Sequence, residues 1–197
     1  MSASKTNQIN IVPHSKSWKL DFQNLAAIIR NLVGPTARRI DHIGSTAVED
    51  LCAKDRIDIQ ITVASAEDFA DIKDKLESGG FARASENSFD HIPAGCQLDE
   101  SHWQKQFYRA PEGFRAMNLH VRVSGKANQE YPLLFRDFLR ADKVVAEHYG
   151  KVKQQLAEHC GDIEAYCDIK DPVCDLIMHS AQRWAASIGW QMPESDA

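Results

Sequence analysis

The chain has 197 residues, of which 43% are hydrophobic and 26% are charged, and its net charge at pH 7 is −5. This composition excludes an intrinsically disordered chain, and the acidic balance argues against a protein that holds nucleic acid on a basic surface. No apolar run approaches the ~18 residues of a membrane span, and the polar N-terminus lacks the apolar region of a secretory signal.

The N-terminal part of the chain predicts a tail, a helix and a strand. We expect residues 1–10 to form a flexible polar tail. Apolar residues then recur at spacings of three and four over 18–32, which predicts an amphipathic helix that Gly34 ends. Residues 38–43 predict a strand.

A second strand follows a short turn. Thr46 and Glu49 have the spacing of a capping box, which predicts a short helix near Ser45. Residues 57–63 alternate strictly between an apolar and a polar face, as a strand does. A second capping box predicts a helix over 65–76. The polar face of the strand carries Asp58, Gln60 and Thr62.

The middle of the chain predicts a further strand and a hairpin. Residues 81–84 predict the strand and residues 85–103 a loop. Residues 106–110 and 114–123 predict two strands around a Pro-Glu-Gly turn. One face of the second arm carries Asn118, His120 and Arg122.

The C-terminal part is predicted to be helical from Tyr131 onward. Asp171-Pro172 has the pattern of an N-cap followed by proline at the first helical position, so a last helix is predicted to begin there. The order of elements indicates an α+β fold with a small mixed sheet, flanking helices and a helical C-terminal part over 131–197. We expect residues 11–197 to form one domain. Five cysteines without a CxxC pair favour a reduced, cytoplasmic protein.

The segment that indicates chemistry is Ile43-Gly44-Ser45, followed after twelve residues by Asp58. Glycine lets the backbone approach a ligand closely, and the amides of the following turn suit a phosphate. A carboxylate on the return strand can hold Mg²⁺ that bridges nucleotide phosphates. This spacing therefore indicates a phosphate cradle beside a metal-holding acid.

These residues resemble the motif of the nucleotidyltransferase superfamily, and within it the chain is similar to the GrpB family. The resemblance extends over residues 11–180. It implies a nucleotidyltransferase-like fold. The leading hypothesis for function is an enzyme that binds a nucleoside triphosphate with Mg²⁺ or Mn²⁺ and transfers a nucleotidyl group to, or activates, a small polar or anionic acceptor. The matching residues are 11–13, 41–48, 53–54, 57–59, 119–121 and 134–141, with Tyr149, Lys153, Leu156, Tyr166 and Lys170 beyond them.

The motif and the resemblance together predict a set of site residues. Asp58 would hold the metal, and Gln60 and His120 would complete the catalytic site. His42 and Arg136 are weaker candidates for substrate contacts. The residues expected to bind phosphate are Gly44, Ser45, Thr46, Lys54 and Arg122.

One departure from the superfamily pattern leaves other functions open. Gln60 stands where the superfamily has a second carboxylate, and this favours a non-catalytic module that binds a nucleotide or metabolite on the same fold. A third hypothesis is a metal-independent ligase or hydrolase with His120 as base. For Asp58 and Arg122 the alternative is a structural ion pair, with each other or, for Asp58, with Lys54. No nucleic acid or membrane partner is expected.

Overall fold

The computed structural model describes residues 9–197, and its five strands form one mixed sheet. The sheet order is β1-β2-β5-β4-β3, with β2 and β5 parallel and the other neighbours antiparallel. The strands are β1 Arg39–Ile43, β2 Ile57–Val63, β3 Ala82–Arg83, β4 Gln106–Arg109 and β5 Met117–Val123. The predicted hairpin is confirmed as the antiparallel pair β4 and β5.

Helices cover both faces of the sheet. On the apolar face, α1 Ser17–Val33 and α2 Asp68–Ser78 pack with the isoleucines of β2 in the largest hydrophobic cluster. The C-terminal helices are α3 Ala127–Ala141, α4 Lys143–His159 and α5 Ile163–Ile188. Because α3 lies over the other face, even the polar residues Gln60 and Thr62 of β2 are fully buried.

Two predicted helix starts are wrong. The last helix begins at Ile163, where the Asp162 side chain accepts from the backbone N–H of Ala165, and it continues through Pro172. Proline removes one backbone hydrogen bond, but Val173 and Ile177 pack against a neighbouring core cluster, and this packing offsets the loss. The predicted helix over 65–76 begins three residues later, at Asp68.

The short helix predicted near Ser45 is a single 3₁₀ turn, Ser45–Ala47, without a side-chain cap. Thr46 cannot form the expected capping box because its hydroxyl is bonded to His42. The predicted loop contains two more 3₁₀ turns, Ser85–Asn87 and Glu100–His102. The predicted tail, residues 1–10, falls almost entirely outside the described residues. Within residues 9–197, every helix is too short or too polar to cross a membrane.

Candidate functional site

A pocket of about 280 Å³ opens beside the turn that links β1 to β2, on the sheet face that the C-terminal helices cover. It brings together the predicted motif residues and side chains from α4 and α5. We call it the Asp58 pocket. Its lining residues are Gly44, Ser45, Thr46, Ala53, Lys54, Arg56, Asp58, Asn118, Tyr149, Lys153, Tyr166 and Lys170.

Gly44 allows the backbone to pass directly against the carboxylate of Asp58. Its φ is 71°, a conformation that side chains disfavour. A Cβ at this position would lie 2.4 Å from Asp58 Oδ2. Only glycine therefore permits this close approach of the turn and the acid.

Asp58 is fixed in the pocket by its neighbour in β5. Asp58 and Asn118 are paired in the parallel register, and Asn118 Nδ2 donates to Asp58 Oδ1 over 2.6 Å. Burial raises the pKa of Asp58, although the bond from Asn118 and the nearby charge of Arg56 oppose that shift. The carboxyl group is therefore held in place but is easier to protonate than an exposed one.

Lys153 of α4 crosses the pocket to the motif turn. Its Nζ donates to Ser45 Oγ over 2.7 Å and also to the carbonyl oxygen of Cys52. Burial lowers the pKa of Lys153 to about 8. This side chain joins the helical part of the chain to the predicted phosphate cradle.

Three further cations line the pocket, each held by a different contact, and they are Lys54, Arg56 and Lys170. Lys54 lies 4.0 Å from the centroid of the Tyr166 ring, and burial lowers its pKa. Arg56 donates to the carbonyl oxygen of Met117 over 3.2 Å. These fixed positions keep the positive charges at the pocket wall.

Lys170 of α5 completes the set. Its Nζ donates to Asp171 Oδ1 over 2.5 Å. Burial opposes a charge on Lys170, but its contacts with Cys174 and Asp171 outweigh burial and leave its pKa above the usual value. Within residues 9–197 it is the only one of the four pocket cations with a salt bridge to a carboxylate. Four cations against one lining carboxylate make the pocket suited to an anion.

Gln60 and Arg122 do not line this pocket. Arg122 Nη1 donates to Gln60 Oε1 over 2.7 Å, and Gln60 Nε2 donates to the carbonyl oxygen of Gln129 over 3.0 Å. Arg122 also forms a two-pronged ion pair with Asp90, with distances of 2.8 and 2.9 Å. We call Gln60, Asp90, Arg122 and Asn128 the Arg122 network, because Asn128 donates to Asp90 as well. The alternative of an ion pair between Arg122 and Asp58 is therefore wrong, because Arg122 pairs with Asp90.

His120 also lies outside the Asp58 pocket, although it is on the same face of β5. Its ring contacts that of Phe107, with 4.9 Å between centroids. Burial, assisted by the charge of Arg122, lowers the pKa of His120 well below its usual value.

His42 faces the opposite side of the sheet from Asp58. Its ring stacks on Phe22 at 4.7 Å and lies 3.0 Å from Thr46 Oγ1. Burial and the charge of Arg140 lower its pKa to about 3. It lines a separate cavity of about 730 Å³, which shares only the motif turn with the Asp58 pocket.

Arg136 is buried and bonded within the protein. Its Nη1 donates to the carbonyl oxygen of His42 over 2.9 Å and to Asp196 Oδ2 over 2.7 Å, and its Nε donates to Asp137. These bonds join α3 to β1 and to the last residues of the chain. The structure thus gives Arg136 a packing role, and Arg136 lines neither cavity.

Only some of the residues that line the pocket could be predicted from the sequence. The alternation of β5 located Asn118 on the polar face, but its pairing with Asp58 needed the parallel register. The resemblance included the α4 and α5 positions without assigning them to the site, because distance along the chain conceals that they face Ser45. The lining residues that were not predicted as site residues are Ala53, Arg56, Asn118, Tyr149, Lys153, Tyr166 and Lys170.

Comparisons with known proteins agree on a family. The family model described as GrpB protein matches residues 8–180. A dephospho-CoA kinase from Mycolicibacterium paratuberculosis is 32% identical over 93% of this chain and 48% of its own length. The chain thus spans about half the length of the first curated relatives it matches.

Solved structures agree on the fold. The conserved protein GrpB from Enterococcus faecalis has a TM-score of 0.66 and 24% identity, covering 89% of this chain and 99% of that one. GLD-2, from the GLD-2/RNP-8 complex, has a TM-score of 0.50 and 10% identity, covering 81% of this chain and 60% of that one. The fold is nucleotidyltransferase-like, with a five-stranded mixed sheet and flanking helices. Its sequence and its structure together show that the chain belongs to the GrpB family.

Proposed function

We propose that this chain binds a nucleoside triphosphate through its phosphates in the Asp58 pocket. The observation that carries the proposal is the convergence of four cations on a glycine turn in a pocket lined by one carboxylate. Phosphate oxygens pair strongly with ammonium and guanidinium groups. The nucleotidyltransferase-like fold supports a nucleotide as the source of those phosphates.

Each part of the pocket has a separate role in this binding. The turn at Gly44 brings the backbone against Asp58 at the pocket wall, and Ser45 offers a hydroxyl that Lys153 already holds at 2.7 Å. Lys54 and Lys170 face the turn from other segments. Anchoring of these groups before the ligand arrives lowers the entropic cost of binding.

The pocket does not fit the Mg²⁺ or Mn²⁺ that was expected with the nucleotide. A metal clamp on phosphates uses several carboxylates, whereas Asp58 is the only one lining this pocket. Gln60 and His120, which were expected to complete the site, point into other surroundings. Within residues 9–197, no group of three or more His, Cys, Asp or Glu side chains could hold a metal ion.

Nucleotidyl transfer to a small polar acceptor is the second candidate function. It is favoured by Asp58, because a buried carboxyl with a raised pKa beside a phosphate site can act as a general base. Asp58 would take the proton of an acceptor hydroxyl as that oxygen attacks the α-phosphorus, and pyrophosphate would leave. Pyrophosphate release that requires both an acceptor and Asp58 would identify transfer, and binding without release would indicate a binding module.

The experiment for the proposed function is calorimetric titration of the full chain with nucleoside triphosphates, in buffers with and without Mg²⁺. Wild type should bind at least one of them, and Lys153→Gln should weaken that binding at least tenfold, because it removes a charge-assisted contact. Lys151→Gln is the matched control, since Lys151 is on the same helix, 61% exposed and paired with Glu147. Absence of binding by every nucleoside triphosphate in both buffers would contradict the proposal, as would equal losses of affinity in the two variants.

A further inference from the structure

We infer that the Asp58 pocket binds its polyphosphate ligand without a divalent metal, and that lysine and arginine side chains supply the positive charge. This inference rests on the proposed function, because it specifies the form in which the nucleotide binds. The charges of the side chains that line the pocket support it. A site that binds a metal-phosphate complex presents acids to the metal, whereas this wall has four cations and a single acid.

The positions that would hold metal ions are occupied by internal contacts. Gln60, two residues after Asp58, is fully buried and uses both ends of its amide on Arg122 and Gln129. Releasing Gln60 toward a metal would leave buried partners without hydrogen bonds, which is costly. The free energy of that rearrangement opposes a second ligand at the strand.

Asp58 itself is poorly placed to hold a cation alone. One of its carboxylate oxygens accepts from Asn118 Nδ2 over 2.6 Å. Lys54 and Arg56, both lining the pocket, repel a further cation. The same charges attract a bare phosphate chain, and addition of Mg²⁺ to that chain cancels two of its negative charges.

The four cations are also held in the geometry of a built site. Lys153 is 3% exposed and bonded to Ser45 Oγ, and Lys170 is held by Asp171. Lys54 rests on the ring of Tyr166. Because these contacts restrict the side chains before binding, the charges act as fixed counterions.

The test compares the Kd of ATP for the full chain in excess EDTA with its Kd in excess Mg²⁺. We expect binding in EDTA at least as tight as in Mg²⁺, and Lys170→Gln should weaken binding in EDTA about tenfold. The isosteric Asp58→Asn variant keeps the acceptor for Asn118 and removes a negative charge, so its affinity in EDTA should be retained or increased, by up to about tenfold. Melting temperatures measured beside the titrations show whether each variant is folded.

Three results would overturn the inference. Binding that requires Mg²⁺ would refute metal independence and leave the proposed function standing. Loss of affinity in a folded Asp58→Asn variant would show that the acid holds a cation for the ligand. Absence of binding by ATP and by the other nucleoside triphosphates in both buffers would refute the inference together with the proposed function.

Discussion

Two clusters of polar side chains lie on the same face of β2 and β5 and differ in how their charges are balanced. In the Arg122 network, the guanidinium is paired with Asp90 at 2.8 and 2.9 Å and with Gln60 at 2.7 Å, and Lys105 pairs with the same carboxylate at 2.6 Å. In the Asp58 pocket, four cations meet one carboxylate, which is bonded to the neutral Asn118. Only two residues along β2, and four along β5, separate a cluster in which each cation is paired with a carboxylate from one with surplus positive charge.

Pairing distinguishes structural charges from ligand-binding charges on these strands. Desolvation of a charge is costly unless a partner compensates it, so a buried, fully paired cluster contributes to folding rather than to binding. Surplus charge of one sign around a cavity is an arrangement that a ligand of the opposite charge would complete. The four predictions below test whether the two clusters separate in this way.

The largest expected effect is on folding. Arg122→Met should lower the free energy of unfolding by about 3 kcal/mol, because it removes both guanidinium contacts of the partly buried Asp90 carboxylate and leaves it only Lys105 as a charged partner. For a chain of this length, that loss corresponds to a fall in Tm of about 6–12 °C. Thermal unfolding followed by circular dichroism measures it.

The same variant should bind nucleotide with nearly the wild-type Kd, measured well below its Tm. The comparison of the two clusters would fail if Arg122→Met kept the wild-type Tm and lost nucleotide binding.

Gly44→Ala should affect both folding and binding. The added Cβ would meet Asp58 Oδ2 at 2.4 Å, and φ at this position is 71°. Strain of this kind costs about 1–3 kcal/mol, and relief of it would push the turn or the carboxylate into the ligand space. Calorimetric titration should show a loss of nucleotide affinity of at least tenfold.

Gly125→Ala is the control for strain alone. Gly125 also has a positive φ, of 75°, and a Cβ there would meet nothing within 4 Å. It should cost stability without changing the Kd. Equal Kd values for Gly44→Ala and wild type would contradict the close approach of a ligand to the turn.

The pH dependence of binding is expected to follow Lys153. Its pKa of about 8 means that the side chain is charged at pH 7 and mostly neutral at pH 9.5. The Kd for nucleotide should therefore rise about tenfold over that range, since a charged donor is lost while the phosphates, with a last pKa near 6, stay ionised. Titrations at several pH values measure the change.

The control is Lys153→Arg, which stays charged and should show a flat profile. A steep profile in this variant would place the titration on another group that faces Lys153. Those groups are Cys52, Asp58, Tyr149, Lys170 and Cys174.

The smallest expected effect concerns His120. Because His120 lies against Phe107 and outside the Asp58 pocket, His120→Gln should change the nucleotide Kd by no more than about twofold. The same titration measures it. A tenfold loss would revive the hypothesis of a catalytic histidine and show that the two clusters act together.

Much of the fold could be predicted from the sequence, because local patterns determine it. Alternation defined β2 and its polar face, and helical spacing defined α1. The start of α5 could not be predicted in this way. An N-cap and a proline at Asp171-Pro172 are a reasonable local signal, but packing of the surrounding turns outweighs the single backbone bond that Pro172 removes.

In the candidate site too, local motifs could be predicted from the sequence and tertiary contacts could not. Gly44 and Asp58 belong to a short motif with a mechanism of its own, so the sequence placed them together. Lys153 and Lys170 lie about a hundred residues away, and only tertiary structure brings them to the turn. Arg122 shows the converse, since its face was predicted while its partner Asp90 comes from a segment without a periodic pattern.

The most direct test of the central claim is a crystal structure of the full chain with a non-hydrolysable triphosphate analogue, grown in the presence of EDTA. We expect the phosphates between the turn at Gly44 and the ammonium groups of Lys153 and Lys170. Phosphates bound instead in the separate cavity beside His42, or a pocket in which Asp58 binds the analogue only after a divalent cation is added, would contradict the account.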